Sequence, residues 1–225
     1  MGKIALFYLL PLFYCTNLFA QKPIVVSKRA YGLSFSAHHS MVTVKGADPD
    51  NNKVYRSFYP AFNGHFVYQK RLNGHDNIEF GVGVAQQGFR ESGMFRDVDG
   101  NLIEGAYFLD KIYHFQMPLR YNVLIWQKEK WKLELMLGGS LNLMLIYNTI
   151  TESPLPIVTR NVRKGKTANE NFSIMGGFHL NYELNGRYSL RLSPYIENFL
   201  KPQNIDKSTI SLFDTGLQLA IFKRI

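Results

Sequence analysis

"YHFQMPLRYNV", residues 113–123, carries the reading on which the fold depends. Tyr113, Phe115, Met117, Leu119, Tyr121 and Val123 alternate with His114, Gln116, Pro118, Arg120 and Asn122. A period of two places the apolar residues on one face of a β-strand and the polar ones on the other. The apolar face looks either into a protein core or out into lipid, and the surrounding chain distinguishes the two.

The same alternation recurs in residues 30–44, 60–72, 78–89, 131–147, 171–184, 188–199 and 209–225, while this strand extends to Ile125. The 131–147 stretch is the clearest. Trp131, Leu133, Leu135, Leu137, Leu141, Leu143, Leu145 and Tyr147 share one face, and Lys132, Glu134, Gly138, Ser140 and Asn142 the other. No segment sustains a helical period, so the expected class is all-β with eight strands.

The connections alternate in length. Residues 45–59, 90–106, 148–170 and 200–208 are long, whereas 73–77, 126–130 and 185–187 are short. Asn73-Gly74 and Asn185-Gly186 supply turn residues that tolerate positive φ. All tight turns therefore fall at one end of the sheet and all long loops at the other. That is the pattern of an antiparallel up-and-down transmembrane barrel, with turns in the periplasm and loops outside.

The polar face supports the same reading. It is rich in Gly, Ser and Asn, with scattered charges at Glu79, Arg120, Glu134, Glu183, Arg191 and Glu197. Small residues with a few opposed charges suit a narrow lumen, which eight strands leave just wide enough to be filled by side chains. Arg120 is expected opposite or diagonal to Glu134, and Arg191 diagonal to Glu183, as lumen charge pairs. Phe115, Leu119, Leu133, Leu135, Leu137, Leu141 and Leu143 are expected to face lipid. Trp131, Tyr147, Tyr113, Tyr121, Tyr182 and Tyr188 are expected near the lipid–water boundaries. The alternative is a soluble lipocalin-like barrel whose apolar face lines a ligand cavity.

The N-terminus reads as an export signal. Lys3 precedes the apolar run "IALFYLLPLFYC", broken by Pro11, and cleavage is expected after Ala20. This gives a signal peptide at 1–20 and a barrel domain at 21–225. Cys15 is the single cysteine and leaves with the signal, which excludes disulfides, thiolate chemistry and cysteine-based zinc sites from the mature chain. The formal charge is +9 over 225 residues. In an exported chain that balance favours anionic lipid or polysaccharide over nucleic acid as partner. Arg160, Arg163, Lys164 and Lys166 form a basic stretch in the 148–170 connection, expected to be an extracellular loop.

No spacing in the chain specifies a metal or cofactor. His38, His65, His114 and His179 fall on the polar face but on separate strands. "DVDGN", residues 97–101, begins like a calcium loop, but Phe108 stands where its terminal glutamate is due. An enzyme at the outer rim is the competing function, and His114, Asp110 and Ser40 are the side chains it would use.

Gln87-Gly88 ending one strand, Pro118-Leu119 and Arg120-Tyr121 in the next, and Gly138-Gly139 in the hairpin strand that follows form a set. Together they resemble the PorT-like outer-membrane β-barrel family across the exported chain. The resemblance implies an eight-stranded outer-membrane barrel. The exported barrel is expected to be monomeric and embedded in outer-membrane lipid of a diderm bacterium. The resemblance implies no catalytic residue and no cofactor; some members of the family support protein secretion. The terminal "AIFKRI" departs from the aromatic last residue frequent in such barrels, with Phe222 three places early.

Overall fold

The computed structural model describes residues 29–45, 53–55, 60–72, 75–92, 95–96, 102–103, 107–152, 159–164, 170–201, 203–205 and 208–225. The segment read as a signal peptide, Asn73-Gly74 and Lys166 lie outside the described residues. Eight long strands form the wall: β1 (Arg29–Lys45), β2 (Pro60–Arg71), β3 (Asp76–Ser92), β4 (Tyr107–Lys128), β5 (Trp131–Glu152), β6 (Glu170–Glu183), β7 (Tyr188–Phe199) and β8 (Ser208–Arg224). Each pairs antiparallel with its neighbours in sequence, and β8 pairs back to β1 from Ala30↔Arg224 to Lys45↔Thr209. The sheet is thus a closed eight-stranded barrel without a free edge in its wall.

Closure explains how the fold tolerates hydrocarbon. No water is available there to satisfy an edge, so every ladder group needs a strand partner. The described strands of the wall range from 12 to 22 residues, against about 9–11 needed to cross a bilayer with tilt.

The turn end is tight. β4 and β5 are joined by Glu129 and Lys130, with Glu129 at φ 50°. At the β6–β7 turn, the Asn185 side chain accepts hydrogen bonds from the backbone amides of Arg187 and Tyr188 at 2.9 and 2.8 Å. This is the local capping that suits asparagine to turns.

At the loop end the ladders run further than the alternation indicated. β3 pairs β4 out to Ser92↔Tyr107, and β4 pairs β5 out to Tyr107↔Glu152. A further strand, Thr159–Lys164, pairs with the end of β5, placing Arg160 opposite Ile150 and Arg163 opposite Tyr147. The basic stretch is therefore strand over Arg160, Arg163 and Lys164, which corrects its reading as a loop. The β-branched and amide-rich run "YNTITE" at the end of β5 gives that strand a ladder to extend.

The polarity of the wall is inverted relative to a soluble barrel. Leu119 and Leu137 on the outside are 52% and 51% exposed, whereas Glu79 and Arg191 inside are 1% and 3% exposed. Phe115, Leu133, Leu135, Leu141 and Leu143 share the outer face and are half-buried by their neighbours on it. Stacked aromatic pairs pave the outside of β1 and β2, with ring centroids 5.8 Å apart for Phe35–Phe62 and 6.0 Å for Tyr31–Phe66. A lipocalin-like cup needs the opposite arrangement, so the structure overturns that alternative.

Candidate functional site: a filled polar lumen

The inward side chains form four levels. Nearest the turn end is a mouth lined by Arg71, Lys132, Glu134, Asn181, Arg191 and Arg224, among others. Arg224 donates to Glu183 at 2.6 Å, and Glu134 accepts from Asn77 and Asn181 at 3.1 Å each.

Above the mouth, Glu79 is the hub of the barrel. Arg120, directly across the β3–β4 ladder, donates to its Oε1 at 2.7 Å, and Arg191 reaches its Oε2 from the opposite wall. Gln218 accepts from Arg120 and donates to Ser34, each at 3.2 Å. The Arg191 guanidinium also lies 4.3 Å from the centre of the Phe222 ring, a cation–π contact inside the wall.

This arrangement corrects both expected ion pairs, although Arg191 does lie diagonal to Glu183 across the β6–β7 ladder as expected. Arg120 faces Gly138 across the β4–β5 ladder, and its carboxylate is Glu79 rather than Glu134. Arg191 lies opposite Asn181, whose Oδ1 accepts from Nε at 2.8 Å, and its carboxylates are Glu79 and, at 3.7 Å, Glu134. Glu183 belongs to Arg224 instead.

The next turn of the lumen continues the cross-links. Glu197 on β7 accepts from Gln116 on β4 at 3.0 Å and from Ser173 on β6 at 2.5 Å, and His65 meets Gln116 at 2.8 Å. Gln87 on β3 donates to Asp214 on β8 at 2.6 Å, across the bore. Tyr195 lies along the wall with its hydroxyl 3.2 Å from Ser36. Its ring takes the place of a side chain at Gly216, where a Cβ would sit 2.8 Å from the ring and 2.7 Å from the Cβ of His38. Only glycine fits beneath that tyrosine.

At the loop end the lumen becomes apolar. Ile112, Met144, Phe199 and Leu212 form a buried cluster, and Tyr147 packs against it while donating to Asp110 at 2.8 Å. Tyr147 was expected on the outer face. A β-bulge leaves Leu145 without a ladder partner between His114↔Met144 and Tyr113↔Ile146, and this inverts the parity that follows. Trp131 and Tyr182, by contrast, meet on the outside at 4.6 Å near the turns.

His38, His65, His114 and His179 are inside, on separate strands. His179 meets Ser193 at 2.7 Å, and His38 lies 3.6 Å from Asp214. Among the described residues no group of three or more His, Cys, Asp or Glu side chains is placed to hold a metal. His114, Asp110 and Ser40 are all buried within the barrel. The hub residue Glu79 and the cross-bore residues Gln87, Asp214 and Gln218 were not singled out as site residues. Their parity on "NIEFGVGVAQQGF" and "LFDTGLQLA" is the signal that marks them as inward.

A closed ladder with leucines outside and ion pairs inside defines an integral membrane β-barrel of eight strands. No family model matches the chain, and no curated protein does. Solved structures of bacterial outer-membrane proteins are similar in fold. The Neisserial surface protein A is 9% identical, with 87% of this chain and 97% of that one covered and a TM-score of 0.47. The outer-membrane protease OmpT from Escherichia coli is 7% identical, with 91% and 99% covered and a TM-score of 0.44. Ail, the attachment invasion locus protein of Yersinia pestis, solved with the heparin analogue sucrose octasulfate, is 12% identical, with 88% and 99% covered and a TM-score of 0.39.

Proposed function

We propose that the protein is a non-enzymatic, monomeric outer-membrane barrel of a diderm bacterium, with a wall that anchors and a loop end that binds. The observation that carries this reading is the occupied bore. Bonds from β3 to β7 and β8, and from β4 to β7, cross it at successive levels, and an apolar cluster closes it above them. A lumen held in this way anchors the loop-end hairpins and does not pass solutes. The enzyme alternative draws no support from His114, Asp110 and Ser40, since all three are buried away from any substrate in water. The basic strand with Arg160, Arg163 and Lys164, together with Lys166, favours an anionic lipid or polysaccharide as partner at the loop end. The PorT-like resemblance of Gln87-Gly88, Pro118-Leu119 and Gly138-Gly139 adds secretion or envelope support as the process served.

Planar-bilayer recording and lipid-depth labelling test the reading together. Spin labels at Leu137 and Leu141 are expected to be quenched by lipid-borne reagents and not by aqueous ones, and the barrel is expected to pass no steady current. A large constant conductance would overturn the filled bore, and aqueous quenching at both labels would overturn the membrane assignment itself.

A further inference from the structure

The turn-end mouth of the lumen holds more positive charge than its carboxylates neutralise. Arg71 on β2 and Lys132 on β5 both project inward there, around a cavity of about 50 Å³. Every carboxylate within reach already has partners. Glu134 accepts from Asn77 and Asn181 and faces Arg191, Glu183 is held by Arg224, and Glu79 by Arg120 and Arg191. Among the described residues neither Arg71 nor Lys132 has a hydrogen-bond or ion-pair partner, although Lys132 is only 5% exposed. Glu134 and Glu183 attract both cations from a distance and Arg224 repels both, so the mouth keeps an excess of positive charge.

We propose that this mouth binds a phosphate-type oxyanion, with Arg71 and Lys132 as its two cationic ligands. Arg71, Lys132, Arg120, Arg191 and Arg224 face the carboxylates Glu79, Glu134 and Glu183, and the excess of two positive charges matches a phosphate dianion. The cavity holds a few water molecules' worth of space, enough for one tetrahedral group. The Arg71 guanidinium offers a planar fork of donors and Lys132 a compact charge, and Asn181 and Ser189 line the same cavity from β6 and β7. A monatomic anion answers one charge and leaves the other unmatched. The cavity opens inside the ring of turns, away from the lipid-facing surface. The anion it takes is therefore a soluble phosphate or phosphomonoester rather than a membrane headgroup.

The test uses the folded barrel in a non-ionic maltoside detergent, with inorganic phosphate as the probe. Phosphate is expected to bind saturably at one site by calorimetry and to raise the midpoint of heat-induced unfolding. Chloride at equal ionic strength is expected to do neither. Lys132→Met is expected to weaken phosphate binding by about tenfold or more. It should also raise the unfolding midpoint in phosphate-free buffer, because it removes a charge that Arg224 and Arg71 repel. Arg71→Gln, at a half-exposed position that tolerates change, is expected to weaken binding likewise, whereas Lys128→Gln on the exposed rim of the same end leaves it unchanged. Absence of saturable binding, or affinity in the Lys132 and Arg71 variants equal to that of the unaltered barrel, would overturn the site. Binding of short-chain phosphatidylglycerol in place of inorganic phosphate would overturn the assignment to a soluble anion.

Discussion

The two ends of the lumen are built on opposite principles. Toward the turns the bore is filled by charges, with Glu79, Arg120, Arg191 and Glu134 in one connected network. Toward the loops it is filled by Ile112, Met144, Phe199 and Leu212, as an ordinary core would be. Both solve the problem of a tube too narrow to be a channel and too wide to be left empty. They differ in what a single substitution does. In the charged half each group neutralises several others, so loss of one exposes the rest. In the apolar half each side chain contributes its own burial and little more. The charged half is thus the more cooperative of the two, and the strands that supply it (β3, β4, β5 and β7) are the ones it locks together.

Glu79→Ala is the sharpest way to break that contrast. It removes the one carboxylate shared by two guanidiniums and leaves both buried in the wall. Breaking a buried pair from one side costs about 3–5 kcal/mol. The shift in urea midpoint of the fast-migrating unheated form on a gel measures it. A companion variant, Glu79→Ala combined with Arg120→Leu, should recover part of the loss because one orphaned charge is gone. A Glu79→Ala barrel with an unchanged midpoint would mean that water in the bore serves the arginines as well as the carboxylate does.

Ile112→Ala probes the other end. Ile112 is fully buried against Met144, Phe199 and Leu212, so truncation leaves a cavity in a small cluster. Such changes cost about 2–5 kcal/mol in tight cores, and the lower part of that range is expected because the cluster is small. The same urea titration reads it. A loss exceeding that of Glu79→Ala would reverse the ranking of the two halves and place the cooperative unit at the loop end.

The outer face of this barrel was legible in the sequence, and most of the partnerships inside it were not. Alternation alone put Phe115, Leu119, Leu133 and Leu137 on one face, because a strand has only two sides and the period of two cannot drift without a bulge. The partner of Arg120 depends on the register between β3 and β4, whose connection is long. No turn chemistry fixes that register, so Glu79 stood in the right parity without a visible partner. Arg191 reaches Glu79 across the bore, a contact set by curvature and not by spacing along the chain. The bulge at Leu145 was hidden for another reason. Leu145 and Ile146 are both apolar, so the alternation gives no sign of where it slips, and Tyr147 was read to the wrong side. The extended ladders at the loop end escaped because their residues do not alternate: Tyr107, Phe108 and Leu109 are apolar in succession, and Asn148 and Thr149 polar in succession.

Tyr147→Phe sharpens the comparison at its smallest scale. It removes one hydroxyl and keeps the ring that packs against Ile112, Met144, Phe199 and Leu212. That hydroxyl donates to Asp110 at 2.8 Å, a hydrogen bond to a carboxylate at the border between the apolar cluster and the loop-end hairpin. A bond of this kind contributes about 1.5–3 kcal/mol. The expected loss lies at the bottom of that range, because Asp110 is near the mouth of the loop end and has other interactions to fall back on. Should the ring face lipid instead, as the unbroken alternation requires, the change would replace a half-satisfied hydroxyl by hydrogen in hydrocarbon. The barrel would then gain stability. The sign of the midpoint shift, more than its size, therefore reports whether the bulge at Leu145 turns this residue inward.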